Sequence, residues 1–333
     1  MLDVGGVGAS KHAVVWDENC PFIQPQASSA FYGMFEYDPT MQHEAGTVAH
    51  CLGASLLCLL VTATHIDASA PCARMPVTHS AVAARDQPPA VGRWTIASLN
   101  IAGDPRTGDT VAAWARERGV DVLLLQEVGN RSHDGEAFVA ALSDRLGFHF
   151  AYAPANRLGD AETQGLAILS RHGLSDVRTY SLKYHRLRFR SRCRIALTAS
   201  LATANGPVRL VNVHLDTRIN SRDRVAQLAP LLDALDPVDA PQIIGGDFNT
   251  MDVRWFRTMW PLPYLQRQAA AVRARLGQNG FQTPFTGGRP TFRFLGLPLR
   301  LDWLYLKRLE AVDWNVDTVR FTDHRGVWAR VKQ

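Results

Sequence analysis

Cysteine is scarce in this chain, five in 333 residues, and four of those (Cys20, Cys51, Cys58, Cys72) come early, leaving Cys193 alone in the rest. That excludes a disulfide scaffold closed within residues 92–333, and the spacing matches no zinc site. The apolar segment 51–63, CLGASLLCLLVTA, has the size of a signal-peptide core and is short of the roughly 20 residues that span a bilayer. Lys and Arg are missing from residues 41–50 just ahead of it. There is no internal repeat, which argues against a solenoid. Nor is there a long apolar hairpin of the kind a lipid phosphodiesterase could insert into a membrane.

What remains is enough for one large domain: 46% of residues are hydrophobic and 20% charged. Residues 1–40 are mixed, without a period, and read as an extension rather than a domain. Residues 41–70 read as a signal peptide or an apolar anchor. Ala68-Ser69-Ala70 offers a small-residue cleavage site, although Pro71 follows directly, and cleavage after Ala63 is the alternative. Export to the periplasm or beyond is the expectation, with membrane contact through 51–63 as its rival. Pro76, Pro88 and Pro89 mark 71–91 as a linker.

From residue 92 onward, apolar runs repeatedly end in groups able to act on phosphate or metal. Residues 94–99 run to Asn100, and residues 122–125 run to Gln126-Glu127. Residues 208–213 deliver His214-Leu215-Asp216, and Ile243-Ile244-Gly245-Gly246 presents Asp247 and Asn249. Asp302 opens the apolar stretch Trp303 to Leu306, and Asp323-His324 precedes the last strand-like run, 326–331. Singly these are ordinary: a glutamate after a strand usually complements a helix dipole, and Gly-Asp-x-Asn is common in turns. Gathering so many polar strand ends is costly unless a cation or substrate compensates them. Between the runs lie helical patterns at 109–118, 136–146 and 221–235. In the last, Ser221 is the expected N-cap, and Val225, Leu228, Leu231, Leu232 and Leu235 recur on one face.

The ordered series Ser-Leu-Asn (98–100), Leu-Gln-Glu (125–127), Asn-Val-His-Leu-Asp (212–216), Gly-Asp-Phe-Asn (246–249), Leu-Asp-Trp (301–303) and Thr-Asp-His (322–324) resembles the endonuclease/exonuclease/phosphatase superfamily of metal-dependent phosphoesterases. The resemblance covers about residues 92–331. It implies an α/β fold: a four-layer sandwich of two mixed β-sheets face to face with helices outside. It also implies hydrolysis of phosphate esters by in-line attack of an activated water. Glu127 would be the main ligand of Mg²⁺ or Mn²⁺, with Asn100 beside it and Asp323 joining. Asp247 would serve as general base or water-orienting group with Asn249 as its partner. Asp302 would hold His324, and His324 and His214 would donate to phosphoryl oxygens. Asp216 and Arg222 form a second tier, Arg222 being placed to bring a guanidinium near phosphate.

Substrate is less legible. The chain departs from the abasic-site endonucleases, with Glu127-Val128-Gly129 in place of a nearby lysine, and from the inositol phosphatases at Asn249-Thr250-Met251. Arg186, Arg188, Arg190, Arg192 and Arg194 alternate with other residues, and as a strand they would line one face for a polyanionic backbone. The formal net charge of +5 leans the same way. A monomeric nuclease or phosphodiesterase is expected. The alternatives are a sphingomyelinase-like lipid phosphodiesterase, a phosphomonoesterase, or a phosphate- or nucleic-acid-binding module without activity.

Overall fold

Strands dominate because the aliphatic and β-branched runs are long enough to be covered on both faces, as near-continuous apolar strands must be. The structure is a computed structural model describing residues 77–79, 92–129, 134–158, 162–188, 191–237, 240–263, 266–287, 289–294 and 296–333. The expected extension 1–40, the export or anchor segment 41–70, most of the 71–91 linker and Arg190 lie outside the described residues. In chain order the strands are β1 Thr78–His79, β2 Arg93–Asn100, β3 Val122–Val128, β4 His149–Leu158, β5 Glu162–Ser170, β6 Leu174–Ser181, β7 Ile195–Leu201 and β8 Val208–His214. They continue with β9 Gln242–Asp247, β10 Val253–Phe256, β11 Trp260–Pro263, β12 Phe292–Phe294, β13 Leu297–Leu299, β14 Asp302–Lys307, β15 Glu310–Thr318 and β16 Arg325–Lys332. The helices are α1 Thr107–Glu117, α2 Gly135–Leu146, α3 Ser221–Leu235 and α4 Gln268–Gln278.

Two mixed sheets form the body. One is seven-stranded in the order β1-β4-β5-β3-β2-β16-β15, and the other is five-stranded, β14-β9-β8-β7-β6. Each holds one parallel pair, β2 with β3 and β8 with β9, and is otherwise antiparallel. Ile96, Val122 and Leu124 of the first sheet share a core with Leu210, Val211, Val213, Ile243 and Ile244 of the second. The alternate residues Ala97, Leu99, Leu123 and Leu125 pack instead with Val111, Trp114, Val139 and Leu142 of α1 and α2. Leu228, Leu231, Leu232 and Leu235 of α3 join the core on the five-stranded side. The four-layer sandwich expected from the sequence is the fold. Thr78–His79, inside the expected linker, pair with Tyr152 and Ala151 of β4 and so belong to the sheet.

The helix ends follow local capping chemistry in one case and depart from it in another. Asp134 caps α2 by accepting from the Glu136 N–H, and Gly147 closes it at φ +67°. Ser221 is not the N-cap of α3 but its first residue; Asn220 holds the cap position without a side-chain cap bond. The Asn220 amide is engaged elsewhere, donating to the Trp255 carbonyl (3.0 Å) and accepting from the Trp255 N–H (2.8 Å). Val225 is only half-buried, whereas Arg224 and Gln227 lie on the buried face.

Candidate active site

Strand direction brings the polar ends together. The parallel pairs finish side by side, with Asn100 opposite Gln126 in one sheet and His214 opposite Asp247 in the other. Antiparallel β14 begins where β9 ends, placing Asp302 in register with Asp247. Likewise β16 begins beside the end of β2, just after His324. One end of both sheets therefore carries every strand-end group singled out in the sequence.

Two backbone devices complete the convergence. β3 shifts register against β5 between Leu125 and Val128, and Glu127 adopts φ +53°. In a regular strand Glu127 would face the helices, opposite Gln126; the bulge and the left-handed residue bring its carboxylate to the site instead. Gly246 sits at φ +140°, and a Cβ there would lie 1.9 Å from the Val213 carbonyl oxygen. Only glycine lets the end of β9 lie this close to β8.

At the centre, the Asn100 amide nitrogen donates to Glu127 Oε1 (3.0 Å) and Asp247 Oδ2 (3.1 Å), bridging the two sheets. Its carbonyl oxygen accepts from the Ala102 N–H at 2.9 Å. His214 Nε2 lies 3.7 Å from Glu127 Oε1 and 3.6 Å from Asp247 Oδ2, too far for hydrogen bonds, and is buried with no hydrogen-bond partner. Burial, and then the guanidinium charges of Arg194 and Arg192, hold His214 well below the usual histidine range, so the ring is neutral. His324 Nδ1 is 2.9 Å from Asp302 Oδ2. Burial alone would neutralise His324, but the carboxylates of Asp302, Asp247 and Asp323 outweigh it and keep the ring cationic well above its ordinary value. Asp247 is pushed up to about 6, first by burial and then by the neighbouring Asp302 charge.

These donors fit a divalent cation. The ligand atoms of Glu127, His214 and Asp247 lie within 4.8 Å of one another, and a second cluster of Asp247, Asp302 and His324 shares Asp247. The Glu127 and Asp247 carboxylates supply the oxygen donors that a hard divalent ion such as Mg²⁺ takes, and the partnerless His214 nitrogen adjoins them.

A supporting shell holds the ends in place, and much of it was not anticipated. Gln126 donates to Ser98 Oγ (3.1 Å) and to Asn212 Oδ1 (2.7 Å), and Asn212 donates across the sheets to the carbonyls of Leu125 and Ala167, both 2.8 Å. The fully buried Arg224 donates to the carbonyls of Asp216 (2.6 Å), Phe248 (2.8 Å), Thr217 (3.3 Å) and Ile219 (3.2 Å), clamping the loops after His214 and Asp247. Thr291 Oγ1 accepts from the N–H groups of Leu301 (2.9 Å) and Asp302 (3.1 Å), fixing the start of β14. Gln164 links the Arg192 guanidinium (2.9 Å) to Glu127 Oε2 (3.4 Å). The signal for Arg224 was present: it occupies the same helical stripe as Leu228, Leu231 and Leu235, where a charge must be paired.

Several expectations need correction. Asn249 partners Asp247 through its backbone N–H (2.8 Å to Oδ1), while its amide donates to the Leu215 carbonyl at 2.9 Å. Asn100 does lie beside Glu127, its NH₂ directed at the Glu127 and Asp247 carboxylates and its oxygen accepting from the Ala102 N–H. Asp323 is half-buried and belongs to neither cluster; its charge acts on His324. Arg222 is exposed, and the guanidinium reaching the site loops is that of Arg224. The arginine stripe is not a strand. The described residues between β6 and β7 form a loop, Arg186 and Arg188 are exposed, Arg192 is half-buried, and Arg194 is buried against Asp216 (3.2 Å). Asp216 also accepts from Gln227 Nε2 at 2.8 Å, so this pair is structural.

A two-sheet α/β sandwich with carboxylates, amides and imidazoles converging at one end defines the class of metal-dependent phosphoesterases. A family model described as "Endonuclease/Exonuclease/phosphatase family" matches residues 97–324, and the chain belongs to that family. No curated protein sequence matches it. Among solved structures, it is similar to a family protein from Leptotrichia buccalis C-1013-b (15% identity, 72% of this chain and 100% of that one, TM-score 0.57). It is also similar to the human Nocturnin catalytic domain with bound sulfate (18% identity, 72% of this chain and 93% of that one, TM-score 0.54). A third similar structure is an AP endonuclease from Archaeoglobus fulgidus (19% identity, 71% of this chain and 98% of that one, TM-score 0.51). At these identities the likeness is one of fold.

Proposed function

We propose that this protein is a Mg²⁺-dependent phosphodiesterase that hydrolyses nucleic acid by in-line attack of water. The observation that carries the reading is the convergence of Glu127, Asp247 and a partnerless His214 Nε2 beside a cationic His324–Asp302 pair. A cation held by the Glu127 carboxylate, with Asp247 and His214 adjoining, would neutralise phosphoryl charge when bound. Asp247, raised to about 6, accepts the proton of the attacking water near neutral pH, and the Asn249 N–H fixes its orientation. With Nδ1–H donated to Asp302, His324 presents Nε2–H to a phosphoryl or leaving oxygen. Nε2 lies 3.9 Å from Asp247 Oδ2, so acid and base flank one small space.

Nucleic acid is favoured over other phosphoesters by the exposed Lys183, Arg186 and Arg188, in a sequence stretch 182–194 without an acidic residue, and by the net charge of +5. For the compartment we propose export. Residues 51–63 have the composition of an export signal. An intact Met1 on cytoplasmic protein from the native host would overturn the export reading.

The functional test is turnover of a chromogenic bis-phosphodiester, plasmid DNA, RNA and sphingomyelin with Mg²⁺, Mn²⁺ or EDTA, each beside His324→Ala. Metal-dependent cleavage of DNA or RNA, lost in the variant, is expected. Cleavage of sphingomyelin alone would move the protein to lipid substrates, and activity indifferent to EDTA would remove the metal.

A further inference from the structure

We propose that the exposed face of the β10–β11 hairpin is a stacking platform for unpaired bases of a single-stranded nucleic acid entering the cleft; this rests on the nuclease reading and narrows it. The hairpin alternates as a strand pair should: Val253 and Trp255 are buried, while Arg254 and Phe256 are exposed. Trp260 and Leu262 complete the outer face, Phe256 standing opposite Trp260 and Arg254 opposite Leu262. Phe256 is 51% exposed, Trp260 59% and Leu262 38%. A hairpin with one solvated face ordinarily carries polar residues there. Two large rings paired across strands in water imply a ligand with flat apolar faces of its own.

Position and charge select the ligand. β10 starts four residues after Asn249, and its backbone is tied at Trp255 to Asn220, in the loop that follows His214. Gln268 Nε2 holds the Val253 carbonyl at 2.8 Å, which fixes the start of the hairpin close after Asn249. The Arg257 guanidinium lies 5.4 Å over the Phe256 ring. The Arg188 N–H donates to Thr258 Oγ1 (2.7 Å), joining the hairpin turn to the segment that carries the exposed Arg186 and Arg188. Aromatic faces interleaved with guanidinium groups suit a chain of bases and phosphates. A duplex keeps its bases stacked and offers no free face to the rings. A bilayer suits the surface less well, because Arg254 shares the outer face with Phe256 and would be carried inward with it.

The experiment measures binding of the full chain in EDTA to a fluorescein-labelled oligothymidylate, to a duplex of equal length, and to phosphatidylglycerol/phosphatidylcholine vesicles. Trp260→Ala and Phe256→Ala should each weaken oligothymidylate binding about tenfold, and Trp260→Tyr should restore it. Trp314→Ala, an equally exposed ring on β15 (47%), should leave that affinity unchanged. Circular dichroism checks that each variant is folded. Oligothymidylate affinity indifferent to both substitutions would overturn the platform, as would a loss seen only with vesicles. The parent reading is checked separately, by turnover of the chromogenic diester by the unaltered protein. Trp260-dependent binding without any turnover would leave the platform standing and remove the nuclease; turnover with Trp260-independent binding would do the reverse.

Discussion

Asp247 and His324 hold opposite and unusual charge states within one small volume. His324 stays protonated because Asp302, Asp247 and Asp323 outweigh burial, and Asp247 is raised to about 6 by burial and by Asp302. The base must lose a proton and the donor must keep one, so kcat/KM should rise with pH as Asp247 ionises and fall again above neutrality as His324 discharges. In His324→Ala, kcat should drop by about 10²–10⁴ and the alkaline limb should vanish. An alkaline limb unchanged in that variant would assign it to another group. The same shifts bear on stability. Since the folded His324 value lies above the unfolded one, its contribution is complete below roughly pH 6.5 and fades as pH rises through the folded value. Asp247 is also raised, so stability is lost as pH climbs from the unfolded carboxylate range, about 3.9, through about 6, and stays lost above it. Asp247→Asn should therefore abolish turnover while raising Tm at pH 8 more than at pH 4. The gain will be partial, because an amide nitrogen at the Oδ2 position would face the Asn100 NH₂. A Tm lowered equally at both pH values would show that Asp247 is held for structure.

At the scale of elements, a strand end is a local message and was legible, whereas the shape of a loop depends on partners distant in sequence. Asn100, Glu127, His214, Asp247 and Asp302 each close or open an apolar run, and each sits where that grammar implied. The 186–194 alternation followed the same rule but lacks a neighbouring strand: β6 stops at Ser181, β7 starts at Ile195, and Arg194 is taken up by Asp216. The stripe on α3 announced that Arg224 must be paired but not with what, since its partners are loop carbonyls and the Gln268 side chain on another helix. Gly246 tests the close packing of β8 on β9 most directly. A methyl group there meets Val213 backbone, which cannot rotate away, and the φ of +140° excludes alanine independently. Gly246→Ala should cost about 3 kcal/mol or more in urea unfolding and displace Asp247. A change of under about 1 kcal/mol would mean that β9 shifts freely, and then Asp247 is not rigidly placed.

Across the whole molecule, the two sheets are joined at their polar end by Gln126–Asn212 and Asn100–Asp247, so the interface that completes the core also assembles the site. Three carboxylates, Glu127, Asp247 and Asp302, gather there with one cationic ring, an arrangement that repels itself and draws its stability from what it binds. The unfolded chain scatters these groups and has little affinity for a divalent ion, so saturating ion should act as a folding ligand. At about 100 times the dissociation constant the gain is about 2.7 kcal/mol, which for a chain of this size corresponds to a rise in Tm of several degrees. Calorimetry of EDTA-treated protein titrated with Mg²⁺ should show that rise, and Mn²⁺ should reproduce it. Glu127→Gln removes one of the charges that demand the ion and should abolish most of the response. The same variant should be at least as stable as the parent in EDTA, because it relieves like-charge crowding next to Asp247. Should the parent chain melt at the same temperature with and without either ion, the carboxylate cluster would be held together by hydrogen bonds alone, and phosphate-ester chemistry at this end of the sandwich would have to proceed through His324 and Asp247 unaided.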